Sequence, residues 1–181
     1  MWNKGAAGVL AATREMEGTL PFHLLGFDCD NGSEFLNHHL WGYLTKRHSP
    51  VEFTRSRPYH KDDNAHVEQK NWMWPRQLLG YGRLEDSTLV ARICTVYKET
   101  WGPLHNFFLP CLKLKKKWRE GSHWRKRYEL PTTAYDRLRS RGRLSRKQRS
   151  DLREIYQSLD PFELKDKLEK QLKKILSPKG P

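Results

Sequence analysis

Residues 24–35 of this chain read LLGFDCDNGSEF, and this stretch decides the fold. Its first half is a short apolar run of the kind that forms a buried strand. The Asn31-Gly32 pair breaks that run, and Ser33 can then cap a helix that extends to about Lys46. The stretch therefore predicts a strand, a turn rich in polar side chains, and a helix.

On both sides of this stretch the chain alternates between helical and strand patterns. A helix from about Trp2 to Gly18 precedes it, and residues 51–54 alternate like a second strand. Further helices are predicted from near Asn64 and over residues 87–101. Helix, strand, helix, strand and helix in this order indicate an α/β layer fold.

The net charge of +13 is unevenly distributed along the 181 residues. Residues 111–181 contain 22 Lys and Arg against 9 Asp and Glu, whereas residues 1–110 contain 12 of each. We therefore expect two domains, a neutral one over residues 1–110 and a basic one over residues 111–181. A polyanionic partner would be held mainly by the second, and charge alone leaves DNA, RNA and an acidic protein open as that partner.

The basic region begins with a run from Lys113 to Arg127 that contains eight basic residues. Trp118 and Trp124 lie within this run. One interpretation is a solvated charge run, but exposed aromatic rings are costly unless they pack or stack on bases. Contact with nucleic-acid phosphates, without sequence readout, is the favoured interpretation.

Two helices are predicted after this run. Ser145 and Gln148 form a capping box in front of one amphipathic segment, and Asp160 with Pro161 starts another. Neither short helix can bury its apolar face alone. The pattern thus predicts a helical hairpin, and with it a basic, mainly helical C-terminal region.

Carboxylates that could do chemistry are concentrated at two places. Asp30 follows the first predicted strand, where the active sites of α/β sheets lie. Asn64, Glu68 and Asn71 fall on one face of a predicted helix. Carboxylate oxygens are the ligands that Mg²⁺ and Mn²⁺ prefer. From the residues alone, a plain turn and a solvated helix glutamate remain the alternative.

These two places carry a resemblance to a known family. DNGSEF at residues 30–35, and RPY and NAHVEQKNW within residues 57–72, are similar to the blocks around the second and third acids of DDE-type transposases and integrases. Thirty-seven residues separate Asp30 from Glu68, close to the interval in the D,D-35-E pattern of that family. The resemblance covers roughly residues 1–110 as an integrase core.

The resemblance implies a partial RNase H-like layer in which Asp30 and Glu68 are catalytic residues and metal ligands. It also implies Mg²⁺ or Mn²⁺ as cofactor, transposon ends and target DNA as partners, and a homo-oligomer. The reaction would be DNA strand cleavage and transfer in transposition or integration. The residues assigned to DNA binding are Asn64, Lys70, Asn71, Arg76, Lys115, Lys116, Lys117, Arg125, Lys126 and Arg127.

The sequence departs from the family pattern in two respects. Only 29 residues precede Asp30, whereas the family carries its first acid on a strand farther upstream. The expectation is a chain truncated at its N-terminus and inactive by itself, unless Asp28 replaces the first acid. Pro75, in the helix that carries Glu68, should also kink or end that helix.

Two other function classes remain in view. The basic region could make this chain a DNA-binding module without catalysis, or the chain could be an unrelated RNA-binding protein. Three isolated cysteines predict neither disulfides nor a structural zinc site. No apolar run has the length of a membrane span, so a cytoplasmic protein is expected. The resemblance implies that it is bacterial and nucleoid-associated.

Overall fold

A computed structural model describes residues 5–57, 69–82, 84, 86–142 and 144–176. The chain divides into two compact units, Met1–Val90 and Ala91–Pro181. Residues 91–110 thus belong to the second compact unit, while the functional division at residues 110 and 111 stays a prediction.

The first unit is built around a strand, helix, strand motif. Helix α1 (Ala6–Thr19) precedes strand β1 (Gly26–Cys29), helix α2 (His38–Thr45) and strand β2 (Glu52–Arg55). The two strands are parallel, with Phe27 opposite Phe53 and Cys29 opposite Arg55. A parallel pair needs a long crossover, and α2 is part of it. The strand and helix order predicted from the sequence is confirmed here.

Helix α2 begins later than the sequence predicts. Ser33 lies in a turn, and the helix is capped by Asn37, whose side chain accepts a hydrogen bond from Leu40 N–H. The turn is closed by hydrogen bonds from the N–H groups of Phe35 and Leu36 to Gly32 O. Two residue types that favour caps compete within five positions, and the second one starts the helix.

The core of the first unit lies between its helices and its two strands. Leu40 and Leu44 from α2 are fully buried and pack with Val9 of α1 and with Val51 in front of β2. Partly buried hydrophobic residues surround them, namely Leu10, Leu24, Phe27, Phe35, Tyr43 and Phe53. This cluster fixes β1 and β2 against α2, and thereby fixes the ends of both strands.

Residues 72–79 are helical but irregular. A π-helical turn covers Trp72–Arg76 and contains Pro75, and a short helix α3 (Gln77–Leu79) follows and ends at Gly80 with a φ of 77°. A proline cannot donate the regular helical hydrogen bond, and wider π turns accommodate such a gap. Pro75 was predicted to kink or end the helix. It does not end the helix, and its effect is this irregular turn.

The second unit begins with a long helical segment and ends with three helices. Helix α4 (Leu89–Val96) continues into π-helical turns at Tyr97–Trp101 and Leu104–Phe108. Helices α5 (Ala134–Ser140), α6 (Arg146–Ser158) and α7 (Pro161–Leu176) form the C-terminal part.

The predicted capping box in front of α6 is present, since Ser145 and Gln148 exchange both hydrogen bonds. Helix α7 packs on the π-helical turns, where Thr100 Oγ1 donates to Gln171 Oε1 at 2.7 Å. Leu152 of α6 instead joins a cluster with Tyr135 and Leu144. Helix α7 thus buries three apolar residues, whereas α6 buries Leu152 and leaves Ile155 and Tyr156 exposed. The predicted pairing of the two helices as a hairpin stays a prediction.

Between these helical parts lies an antiparallel β-hairpin that was not predicted from the sequence. Strand β3 (Leu114–Glu120) pairs with β4 (His123–Tyr128), and Gly121 in the two-residue turn has a φ of 61°. The expectation of a mainly helical region from residue 111 onward was incomplete, because a ribbon solvated on both faces shows no apolar alternation.

The molecule is therefore a mixed α/β protein with two small sheets, one parallel and one antiparallel. Within the part of the chain that the structure describes, no helix combines the length and apolar character that crossing a membrane requires.

Candidate functional site

Asp30 lies directly after β1, at the carboxyl end of the parallel pair. Its Oδ1 accepts a hydrogen bond from Gly32 N–H at 2.9 Å, so the side chain is held over its own turn. Because the two strands end level with each other at Cys29 and Arg55, polar groups after both strands meet at one edge. The position of Asp30 at a strand end was predicted from the sequence and is confirmed.

The turn that carries Asp30 is tied to the residue that follows β2. Asn31 Nδ2 donates to Ser56 O at 2.9 Å, and Ser56 N–H donates to Cys29 O at 3.0 Å. Ser56 is itself buried, with 4% of its surface exposed. The side chain of Asn31, which the sequence presents only as a turn former, therefore joins both strand ends into one rigid edge.

Asp28 and Asp30 flank a buried thiol. Burial raises the pKa of Cys29 to about 11, and the neighbouring carboxylates of Asp30 and Asp28 add to that shift. Asp28 itself is exposed, and its Oδ1 accepts a hydrogen bond from Thr54 Oγ1 at 2.9 Å. Cys29 thus separates the two acids in sequence, and its proton stays on sulfur at neutral pH.

A second carboxylate comes close to Asp30 at Gly32. A Cβ atom on Gly32 would lie 2.7 Å from Glu34 Oε2 and 3.0 Å from Asp30 Oδ1. The absence of a side chain at position 32 thus leaves room for both carboxylates. Sequence reasoning did not assign a role to Glu34, although its place four residues after Asp30 in a tight turn was an available signal.

The residues predicted around the third acid are only partly described. Asn64 and Glu68 lie outside the described residues. Lys70 and Asn71 are both exposed in the helical segment that continues into Trp72–Arg76. The guanidinium carbon of Arg76 lies 5.1 Å from the ring centroid of Tyr81, so this cation rests on an aromatic face.

The donor atoms at the strand edge match the chemistry of a hard divalent cation in type. Asp30 and Glu34 offer carboxylate oxygens, which Mg²⁺ and Mn²⁺ prefer. Among the described residues no cluster of three or more His, Cys, Asp or Glu side chains has the geometry of a metal site. Asp30 fits such a cation as one ligand, and Glu68 would have to contribute from the segment before Gln69.

The second candidate site is the basic hairpin, which we define as residues 114–128. Every one of its residues is exposed, and it contains seven Lys or Arg against one acid. Both tryptophans stay in solvent, with Trp118 38% and Trp124 59% exposed. A lysine covers each ring, since Lys116 Nζ lies 5.8 Å from the Trp118 centroid and Lys117 Nζ lies 4.3 Å from that of Trp124.

The base of the basic hairpin is fixed to α5. Cys111 and Thr132 exchange backbone hydrogen bonds, and Glu129 N–H donates to Lys113 O at 2.8 Å. Arg137 of α5 donates to both the sulfur and the carbonyl oxygen of Cys111. The hairpin thus projects from an anchored base, and its two strands contact mainly each other.

Comparison with known proteins shows a partial similarity to one curated protein. Over 125 residues, which are 68% of this chain, the sequence is 40% identical to Uncharacterized protein y4rM of Sinorhizobium fredii. The match spans 34% of that protein, so the chain covers about a third of the length of this relative. No family model matches the chain, and no solved structure matches it.

Proposed function

We propose that this chain belongs to the machinery of DNA transposition or integration, as part of an RNase H-like integrase core with a DNA-binding basic region. The observation that carries the proposal is Asp30 at the end of β1, held by its own turn and tied through Asn31 to the end of β2. A parallel strand, helix, strand unit with an acid at this position is consistent with the family resemblance of residues 30–35 and 57–72.

In this proposal Asp30 and Glu68 act as ligands of a divalent cation, with Glu34 as a neighbouring carboxylate. A bound Mg²⁺ or Mn²⁺ would supply charge neutralisation at the scissile phosphate and lower the pKa of an attacking water or hydroxyl. The chain itself holds the Asp30 carboxylate in place through Gly32 N–H. The family uses three acids, and this sequence offers counterparts of two, so we expect no strand transfer by the 181-residue chain alone.

The test is a titration of the purified chain with Mn²⁺, in which the paramagnetic relaxation of water protons measures the binding. We expect weak binding that Asp30→Asn and Glu68→Gln each reduce at least fivefold. Asp86→Asn is the matched control, since Asp86 also holds its own turn through a hydrogen bond from Thr88 N–H. Equal binding by the Asp30 and Asp86 variants would refute the metal site.

Strand cleavage and joining assays on duplex oligonucleotides complete this test. We expect no product with Mg²⁺ or Mn²⁺. A product that disappears in Asp30→Asn would support the integrase assignment and would refute the expected inactivity. In that case Asp28→Asn is the variant to assay next, because Asp28 lies on β1 two residues before Asp30 and offers the replacement carboxylate.

A second candidate function is DNA binding without catalysis, and the basic hairpin favours it. A ribbon with seven cations, two exposed tryptophans and an anchored base has what a phosphate-binding element needs. Under this candidate Asp30 is a turn residue only. If Asp30→Asn leaves Mn²⁺ binding unchanged while the chain still binds duplex DNA, this second candidate is favoured over the integrase assignment.

A further inference from the structure

Both faces of the basic hairpin carry Lys and Arg side chains. Because side chains alternate along a strand, the register of β3 and β4 assigns each residue to a face. One face contains Trp118 with Lys116, Arg125 and Arg127. The opposite face contains Trp124 with Lys117, Arg119 and Lys126.

An element that lies flat on a polyanion needs cations on one face only. A ribbon that binds with one face gains nothing from cations on the other, and repulsion among them weakens the fold. Each face of this hairpin instead presents at least three cations and one exposed indole ring. The seventh cation, Lys115, lies at an irregularity of the strand register, and Glu120 lies on the face of Arg125. Such a distribution suits an element with phosphates on both sides.

The dimensions of duplex DNA provide such a place. Packed sheets lie about 10 Å apart, so one ribbon with side chains on both faces is about 10 Å thick. The major groove is about 12 Å wide and admits a two-stranded ribbon between its two phosphate backbones. A ribbon that enters edge-on would direct each face toward one backbone.

We propose that the basic hairpin inserts edge-on into the major groove of duplex DNA and contacts both phosphate backbones, one with each face. The inference deepens the proposed function, because it names the DNA form and the mode of contact for the basic region. It requires no catalysis, and it gives no sequence preference, since the named cations contact phosphates.

The experiment uses duplex affinity of the full chain as a function of salt. Two triple variants each remove one face: Lys116→Ala, Arg125→Ala and Arg127→Ala for the first, and Lys117→Ala, Arg119→Ala and Lys126→Ala for the second. Each lost phosphate contact changes the slope of log K against log salt by about 0.9. We expect each triple to flatten the slope by about 2.7 and the sextuple variant to flatten it by the sum.

The matched control removes three exposed lysines from α7 with Lys165→Ala, Lys170→Ala and Lys174→Ala. This variant loses the same charge, and we expect its slope to change by less than a third as much. All substituted side chains are exposed, so circular dichroism should show unchanged folding in every variant.

Three results would overturn the proposal. An effect of one face alone would mean that the hairpin lies flat on the duplex. An equal effect of the α7 control would mean that only the overall charge matters. Tighter binding to single strands or RNA, with Trp118→Ala and Trp124→Ala as the most damaging changes, would indicate base stacking instead. None of these results depends on Asp30, so a failure here is distinct from a failure of the metal site.

Discussion

Glu120 is the acid within the basic hairpin, and its carboxylate forms an ion pair with one of the cations, Arg125. Its Oε2 lies 2.8 Å from Arg125 Nε, at the end of β3 next to the turn. Both side chains are more than 60% exposed, so the pair contributes little to folding. Its effect falls on binding, because a phosphate has to compete with Glu120 for Arg125.

We therefore predict that Glu120→Gln strengthens duplex DNA binding. A surface ion pair is worth at most about 1 kcal/mol, which sets the expected gain at about two- to fivefold at low salt. Fluorescence anisotropy with a labelled duplex measures it. Glu169→Gln is the control, since Glu169 forms an exposed pair with Lys165 on α7 and loses the same charge. An equal gain in both variants would assign the effect to net charge.

At the same scale, the sequence located Asp30 but not its surroundings. An acid that follows an apolar strand and precedes Asn-Gly can be recognised from the order of the residues alone. The bond from Asn31 to Ser56 and the approach of Glu34 to Asp30 depend on how the turn closes over Gly32. Asn31 and Ser56 are 25 positions apart, and the residues next to each of them do not indicate that the two meet.

A half-buried polar cluster joins α1 to the end of α2. It consists of Glu17 from α1, Tyr43 from α2, and Arg47 just after α2. Arg47 contacts both carboxylate oxygens of Glu17, with Nη1 at 2.9 Å from Oε2 and Nη2 at 2.8 Å from Oε1. Tyr43 Oη donates to the same Oε2 at 2.7 Å. The hydrogen bonds from Arg47 and then Tyr43 lower the pKa of Glu17 below its ordinary value of 4.5.

The lowered pKa predicts an acid-sensitive pairing of α1 and α2. A carboxyl group with a depressed folded-state pKa contributes its stability above the unfolded value of 4.5, and loses it as pH falls through the folded value. At pH 7 we expect Glu17→Gln to lower the free energy of unfolding by about 1 kcal/mol. The difference from the unmodified chain should shrink as pH falls below 4.5 and should vanish once pH is below the lowered folded-state pKa.

Urea unfolding at several pH values, followed by circular dichroism, checks this prediction. Glu15→Gln is a suitable control, because Glu15 is an exposed acid on the same helix. A constant difference between the Glu17 variant and the unmodified chain from pH 7 to pH 3 would show that the carboxylate charge plays no part.

Among the elements, those with a buried face were the ones predictable from sequence. The strands 26–29 and 52–55 and the helices at 146–158 and 161–176 all follow from apolar spacing or caps. The basic hairpin was missed, because its residues are all exposed and charges mask the alternation. Gly121-Ser122 between two runs was the available signal, since such a pair is typical of a two-residue hairpin turn.

For the whole molecule, charge and the proposed metal ligand lie in different compact units. Asp30 belongs to the unit Met1–Val90, and the basic hairpin belongs to Ala91–Pro181. We therefore predict that the two activities are independent. Asp30→Asn should leave the salt slope of duplex binding unchanged, and the sextuple hairpin variant should leave Mn²⁺ binding unchanged.

Both titrations on both variants check this prediction. The two activities count as independent if each binding constant changes by no more than about twofold. A larger loss of Mn²⁺ binding in the hairpin variant would contradict the independence of the two activities. The salt slope near −5 expected for five or six phosphate contacts sets the scale of the duplex measurement.

The basic hairpin also has a consequence for how copies of the chain behave in solution. A two-stranded sheet leaves one outer edge of unpaired N–H and C=O groups on each strand, and such edges pair readily with other chains. Here a cation stands at almost every second position, so mutual repulsion keeps the edges of neighbouring copies apart. Screening this repulsion with high salt, without any DNA, should therefore favour edge-to-edge association and turbidity, and the chain should be most soluble at low ionic strength.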